Sequence, residues 1–187
     1  MRHSLALAVF ALSGGVVLAQ EKVENPAYAN WVKFKPGTRV VTKTSAVSAA
    51  FRTDTVLTST LVEVLGDKLV VEQSVVTKQK GKDVPSLPMK QEVAKTITLA
   101  PGETKDGAGI FGKPVGTKNE GTEKLKIAGM DVNTTWFEWD SKEAGKELKA
   151  KLWVSADVPG LIVKMEYQSG GATPTTMTTE LVEVKKP

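Results

Sequence analysis

The stretch TVLTSTLVEVL-GD-KLVVEQSVVT, residues 55–77, decides the fold class. Two runs rich in Val, Thr and Leu flank the two-residue loop Gly66-Asp67. Such a pair suits the mirror-image turns whose twist matches that of two paired strands. Setting Leu65 against Lys68 places Val64 opposite Leu69 and Val62 opposite Val71. Those four apolar side chains then share one face, and Glu63, Lys68 and Glu72 share the other. Turn chemistry and period-two alternation agree on an antiparallel hairpin.

The same pattern extends outward. Residues 124–127 and 130–139 flank Ala128-Gly129, which sets Leu125 against Val132 and Lys126 against Asp131. Further on, Leu148, Ala150, Leu152 and Val154 alternate with Lys149, Lys151 and Trp153. After a Val158-Pro159-Gly160 turn, Leu161, Val163, Met165 and Tyr167 alternate with Lys164 and Glu166. Segments 39–44, 92–99 and 175–184 read as further strands, about nine in all by these rules. Helical turns are expected only near 46–51 and 142–146. The fold class is therefore all-β with minor α. Consecutive hairpins leave open edges that aggregate unless covered, so an antiparallel curved sheet, barrel or half-barrel is expected. Residues 31–187 form one domain, opening on Trp31 and Phe34 and preceded by a short leader at 20–30. The Gly- and Pro-rich stretch 100–123 shows no periodicity and reads as a long loop. Leu61-Val62-Glu63-Val64 is echoed by Leu181-Val182-Glu183-Val184, a match that common strand residues also produce by chance.

The N-terminus reads as an export signal. Arg2 and His3 precede the apolar run 5–12, Ser13-Gly14-Gly15 interrupts it, and Val17 and Ala19 suit signal peptidase. Cleavage after Ala19 is expected, so residues 1–19 are a signal peptide and the protein is periplasmic or extracellular. The run is shorter than the roughly 20 residues a spanning helix needs. No other segment is apolar enough to cross as a helix, so the protein is read as not integral to the membrane.

Composition removes whole classes of chemistry. The chain has no cysteine, and its one histidine is His3, within the signal. Nucleophile systems built on Ser-His-Asp or Cys-His are excluded past residue 19, as are His/Cys zinc, haem and iron–sulfur sites. No cofactor is expected. Of 25 basic residues only three are Arg, and the formal net charge is +4. Scarce Arg and scattered Lys argue against nucleic acid, and the run 78–82 reads as a charged hairpin end.

Four tryptophans, Trp31, Trp136, Trp139 and Trp153, are the candidate ligand-binding residues. Trp136 and Trp139 have opposite strand parity, so they cannot both face the core on an unbulged strand. Trp153 shares the parity of Lys149 and Lys151 and reads as lying outside or under the long loop. Residues 107–113, GAGIFGK, match phosphate-loop patterns, but Pro114 and Gly116 oppose the helix such a site needs. Asn133-Thr134-Thr135 fits a glycosylation sequon. Glu138, Asp140 and Glu143 beside Trp139 are the one carboxylate group that could serve glycoside cleavage.

Trp153-Val154-Ser155 followed by Pro159-Gly160-Leu161-Ile162-Val163-Lys164-Met165-Glu166 resembles the late hairpin of LolA/LolB-like bacterial carrier domains. The closing Leu181-Val182-Glu183-Val184 strand is similar to theirs. Trp31 with Phe34-Lys35-Pro36-Gly37 resembles the opening of exported planctomycete-type proteins. The resemblance implies an antiparallel half-barrel around short helices with an apolar concavity for acyl chains. This chain departs from it in having few long helical segments. Three readings stay open: a non-catalytic exported β domain binding a hydrophobic or lipidic ligand or an envelope partner; a structural or interaction protein of the envelope without a pocket; and a carboxylate-only hydrolase. Oligomeric state is left open.

Overall fold

The computed structural model describes residues 21–79, 81–99, 113–143, 146–171 and 173–187. The expected signal peptide 1–19 and the motif at 107–112 lie outside the described residues. Twelve strands and one short helix are present among the described residues: β1 (Lys22–Glu24), α1 (Pro26–Trp31), β2 (Arg39–Ser48), β3 (Arg52–Val64), β4 (Lys68–Gln79), β5 (Lys82–Pro85), β6 (Met89–Ala94), β7 (Thr96–Thr98), β8 (Thr117–Ile127), β9 (Met130–Glu143), β10 (Lys146–Val154), β11 (Ile162–Ser169) and β12 (Thr175–Lys185).

Ten strands form one antiparallel sheet in the order β5-β4-β3-β2-β12-β11-β10-β9-β8, with β6 also on β4. Two meanders, β2 to β6 and β8 to β12, are thus joined where the last strand pairs with the first of the sheet. The sheet is antiparallel, curved and not closed. β1 and β7 make a separate two-stranded ribbon around Val23, Ile97 and Leu99.

Each hairpin starts as its turn dictates. The Leu65 amide donates to the Lys68 carbonyl at 2.7 Å, and Val64 faces Leu69. One residue later the register slips. Leu61, not Val62, faces Val71, because Val62 is the extra residue of a β-bulge between Leu61 and Glu63. The expected placement of Val62 on the core face is therefore corrected: Leu61 is fully buried and Val62 is 38% exposed. A bulge sets two residues against one, so parity read from the turn fails beyond it. The echoed segment does the same. β12 is bulged between Leu181 and Glu183, Leu181 is buried and Val182 is exposed.

The second hairpin matches residue for residue: Leu125 faces Val132 and Lys126 faces Asp131. Ala128 and Gly129 both adopt positive φ, 51° and 74°, as a mirror-image turn requires. Lys124 makes the ion pair with Asp131, at 3.0 Å. In the third hairpin Leu148, Ala150 and Leu152 are buried as expected, and a bulge follows Trp153.

Other expectations are corrected. Residues 46–48 are strand, and 142–143 with 146 belong to β9 and β10, so neither helical turn forms there. β8 begins at Thr117, inside the stretch expected to be loop. The only helix among the described residues is α1, within the stretch read as leader. Asn25 caps it by accepting from the Ala27 amide at 3.0 Å, and Pro26 starts it. Tyr28 and Trp31 then join the main core with Val40, Leu61, Leu69, Val71, Val132, Trp153, Val158, Val163 and Leu181.

Candidate functional site

Residues opposed across a ladder share a face, which sorts β9 to β12 into two surfaces. On one, Phe137, Leu152 and Met165 form a row, and Trp139, Ala150, Tyr167 and Met177 form the next. The other carries Glu138-Lys151-Glu166-Thr178 and Asp140-Lys149-Gln168-Thr176. These two polar rows line a groove of about 560 Å³, completed by Lys118 and Asn119 from β8.

The groove is electrostatically matched within itself. Lys151 Nζ lies 2.9 Å from Glu138 Oε1, and Asn119 Nδ2 donates to Glu138 Oε2 at 3.3 Å. Lys118 Nζ lies 2.6 Å from Asp140 Oδ2. The bond from Lys151, and then that from Asn119, holds the Glu138 carboxyl below its ordinary range. The bond from Lys118 does the same for Asp140. At the groove's border Lys164 is held above the ordinary lysine range, chiefly by its bond to Glu166 and against the effect of burial. Glycoside cleavage needs one carboxyl that is protonated at working pH. The same bonds favour the ionised form of Glu138 and Asp140. Glu143 lies at the end of β9, and its side chain is outside the described residues.

Three of the four candidate tryptophans come together: Trp31 and Trp153 share the main core, Trp136 packs against it, and Trp139 stands apart on the opposite face. Trp136 and Trp153 are register partners on the polar face. Trp136 lies across Gly121, where an added Cβ would come within 2.8 Å of the indole. Lys151 Nζ stands 4.1 Å from the Trp136 ring centroid and 4.9 Å from that of Trp153. Trp153, expected outside or under the long loop, is buried; its indole N–H donates to the Glu123 carboxylate. Trp139 borders the groove floor, but its partner Ala150 puts its ring on the opposite face, as parity predicted. Trp31 sits on α1, edge-on to Phe34 with centroids 6.5 Å apart.

Trp31 also lines a second concavity, a recess of about 360 Å³ between α1 and strands β4 and β6. Its walls include Ala27, Val71, Val93, Ala94 and Ile97, with Gln73 and Gln91 at its polar side. Sequence reasoning missed this recess because it missed α1. The signal was present in Asn25-Pro26, a capping residue followed by proline. It also missed Lys151 and Glu123, which hold Trp136 and Trp153 in place.

No family model and no curated protein matches the chain. Several solved structures match it at low identity. A candidate lipoprotein from Parabacteroides distasonis is 15% identical, with 81% of this chain and 96% of that one covered and a TM-score of 0.45. An exported-type protein with a YmcC-like fold from Bacteroides fragilis is 9% identical, with coverage of 82% and 97% and a TM-score of 0.43. A LolA superfamily protein from Nitrosomonas europaea is 10% identical, with coverage of 88% and 94% and a TM-score of 0.18. Among the described residues no helix is long and apolar enough to cross a membrane.

Proposed function

We propose that this chain is an exported, non-catalytic β domain of the cell envelope that works by binding a hydrophobic ligand or an envelope partner. The observation that carries the reading is the self-neutralised groove. Its carboxylates Glu138 and Asp140 are each bonded to a lysine, and that pairing disfavours the protonated acid which a carboxylate-only hydrolase requires. The seat for a hydrophobic ligand is the recess beside α1, where Trp31 supplies an aromatic wall among aliphatic side chains. An envelope partner meets the polar groove instead. Of the four tryptophans, Trp31 is the ligand-facing residue; Trp136 and Trp153 are held by Lys151 and Glu123.

The test is native mass spectrometry of the protein purified from its host, followed by uptake of a fluorescent fatty acid. Co-purified lipid, and uptake abolished by Ala94→Phe at unchanged melting temperature, supports the recess. Lipid-free protein with no uptake rejects the hydrophobic ligand and leaves the envelope-partner version. Turnover on a glycan panel, lost on Glu138→Gln, overturns the non-catalytic reading.

A further inference from the structure

The sheet has two open edges among the described residues, and they are built differently. At one, β5 and β6 share β4 as neighbour but are separated by a kink. Pro85 faces Val76, the Ser86 amide donates to the Val75 carbonyl at 2.7 Å, and pairing resumes only with Met89 facing Gln73. Leu87 and Pro88 therefore stand against the single residue Ser74, and Leu87 is 86% exposed. Two prolines and a bulge are devices that stop an edge from templating another strand.

β8, at the other edge, is regular over most of its length. From Asn119 to Ile127 it runs in unbroken register with β9, its single irregularity lying between Thr117 and Asn119. It contains no proline, and β9 is its only neighbour among the described residues. Lys118, Asn119, Glu120, Thr122, Glu123, Lys124 and Lys126 are all exposed.

The turn decides which backbone groups point outward. Ile127 and Met130 close a two-residue turn, so that pair exchanges its bonds inward. Alternation then sends the amides and carbonyls of Lys126, Lys124, Thr122 and Glu120 away from β9. An antiparallel copy of β8 centred on Thr122 brings those same groups into register: Thr122 on its own copy, and Glu120 on Lys124 twice. The opposed side chains carry opposite charge in both symmetric positions, and each also has an exposed partner in its own chain, Glu120 with Lys113 at 2.9 Å and Lys124 with Asp131 at 3.0 Å. The ladder ends before Lys118, which is the extra residue of the irregularity in β8 and is ion-paired to Asp140 at 2.6 Å.

We infer that β8 is a self-association edge, and that two copies of this chain join β8 to β8 about a two-fold axis through Thr122. The ladder makes one continuous sheet from two ten-stranded ones. A two-fold contact closes on itself, and the blocked β5–β6 edge prevents head-to-tail growth.

The test is analytical ultracentrifugation of the exported chain from micromolar to millimolar concentration. A monomer–dimer equilibrium is expected. Glu120→Lys is expected to weaken it about tenfold by setting like charges opposite each other, and adding Lys124→Glu is expected to restore it. Thr122→Pro removes only an outward amide and is expected to abolish the dimer, with unchanged circular dichroism confirming the fold. A chain that stays monomeric throughout overturns the inference. So does a dimer whose dissociation constant is the same in wild type, Glu120→Lys and Thr122→Pro.

Discussion

Gly121 is the glycine, among those described, at which the sheet leaves least room for a side chain. Its φ is ordinary for a strand, so the glycine is required by space: the Trp136 indole lies where a Cβ would stand. Gly121→Ala is expected to displace Trp136 from beneath Lys151 and to cost about 1–3 kcal/mol. Urea denaturation measures the loss, and pairing the substitution with Trp136→Leu should recover part of it. Lys151 has a separate duty, since its bond is the largest cause of the lowered Glu138 pKa. Lys151→Met is expected to move the Glu138 titration upward, as followed by carboxyl-carbon NMR. An unmoved titration would show that Asn119 alone sets it. Trp153 could not be placed from sequence, because parity put it with two lysines. Parity was right about the face. The face is covered there, by Lys151 and Lys164 over the ring and Glu123 at the indole N–H.

At the scale of the element, the bulges govern which side chains are inside. Leu61-Val62 and Leu181-Val182 are each two apolar residues in a row, so nothing in their hydrophobicity says which one enters the core. The bulge lets the larger Leu enter and turns Val out in both strands. Leu61→Ala is therefore expected to cost about 2–5 kcal/mol, as for any filled core position. Val62→Ser is expected to stay within about 0.5 kcal/mol, as for an exposed site. Equal losses in thermal denaturation would show that the register does not slip there. Turn-proximal pairs were legible because a two-residue loop sets them directly. The pairs Val64–Leu69 and Leu125–Val132 lie within three positions of their turns, ahead of any bulge. α1 escaped notice because six residues are too few to show helical periodicity, and only its cap was readable.

At the scale of the molecule, the shifted groups define a pH window. Asp54, Glu138 and Asp140 titrate below the ordinary carboxylate range, held there first by Ser45, Lys151 and Lys118 respectively. A depressed carboxyl stabilises the fold above its unfolded pKa, and that contribution disappears as pH falls through its folded pKa. Lys68 and Lys164 titrate above the ordinary lysine range, through Glu92 and Glu166. Their contribution is complete below the unfolded lysine pKa and is lost as pH rises through the folded one. Stability is expected to be flat from about pH 5 to about pH 10 and to fall on both sides. A melting-temperature series across pH checks this, and high salt should flatten the profile because the pairs are exposed.

The sequence by itself determined the β class, the three hairpins and the pairs nearest their turns, because period-two alternation and turn chemistry act over a few residues. It also determined that no histidine or cysteine is available past residue 19. Only the tertiary structure decided that β12 pairs with β2, residues more than 120 positions apart, and that both echoed segments bulge. It alone placed Trp31 beside a recess and Trp153 in the core. Long-range pairing and burial depend on which faces are left uncovered once every local element has formed, and that balance is struck by the whole chain at once.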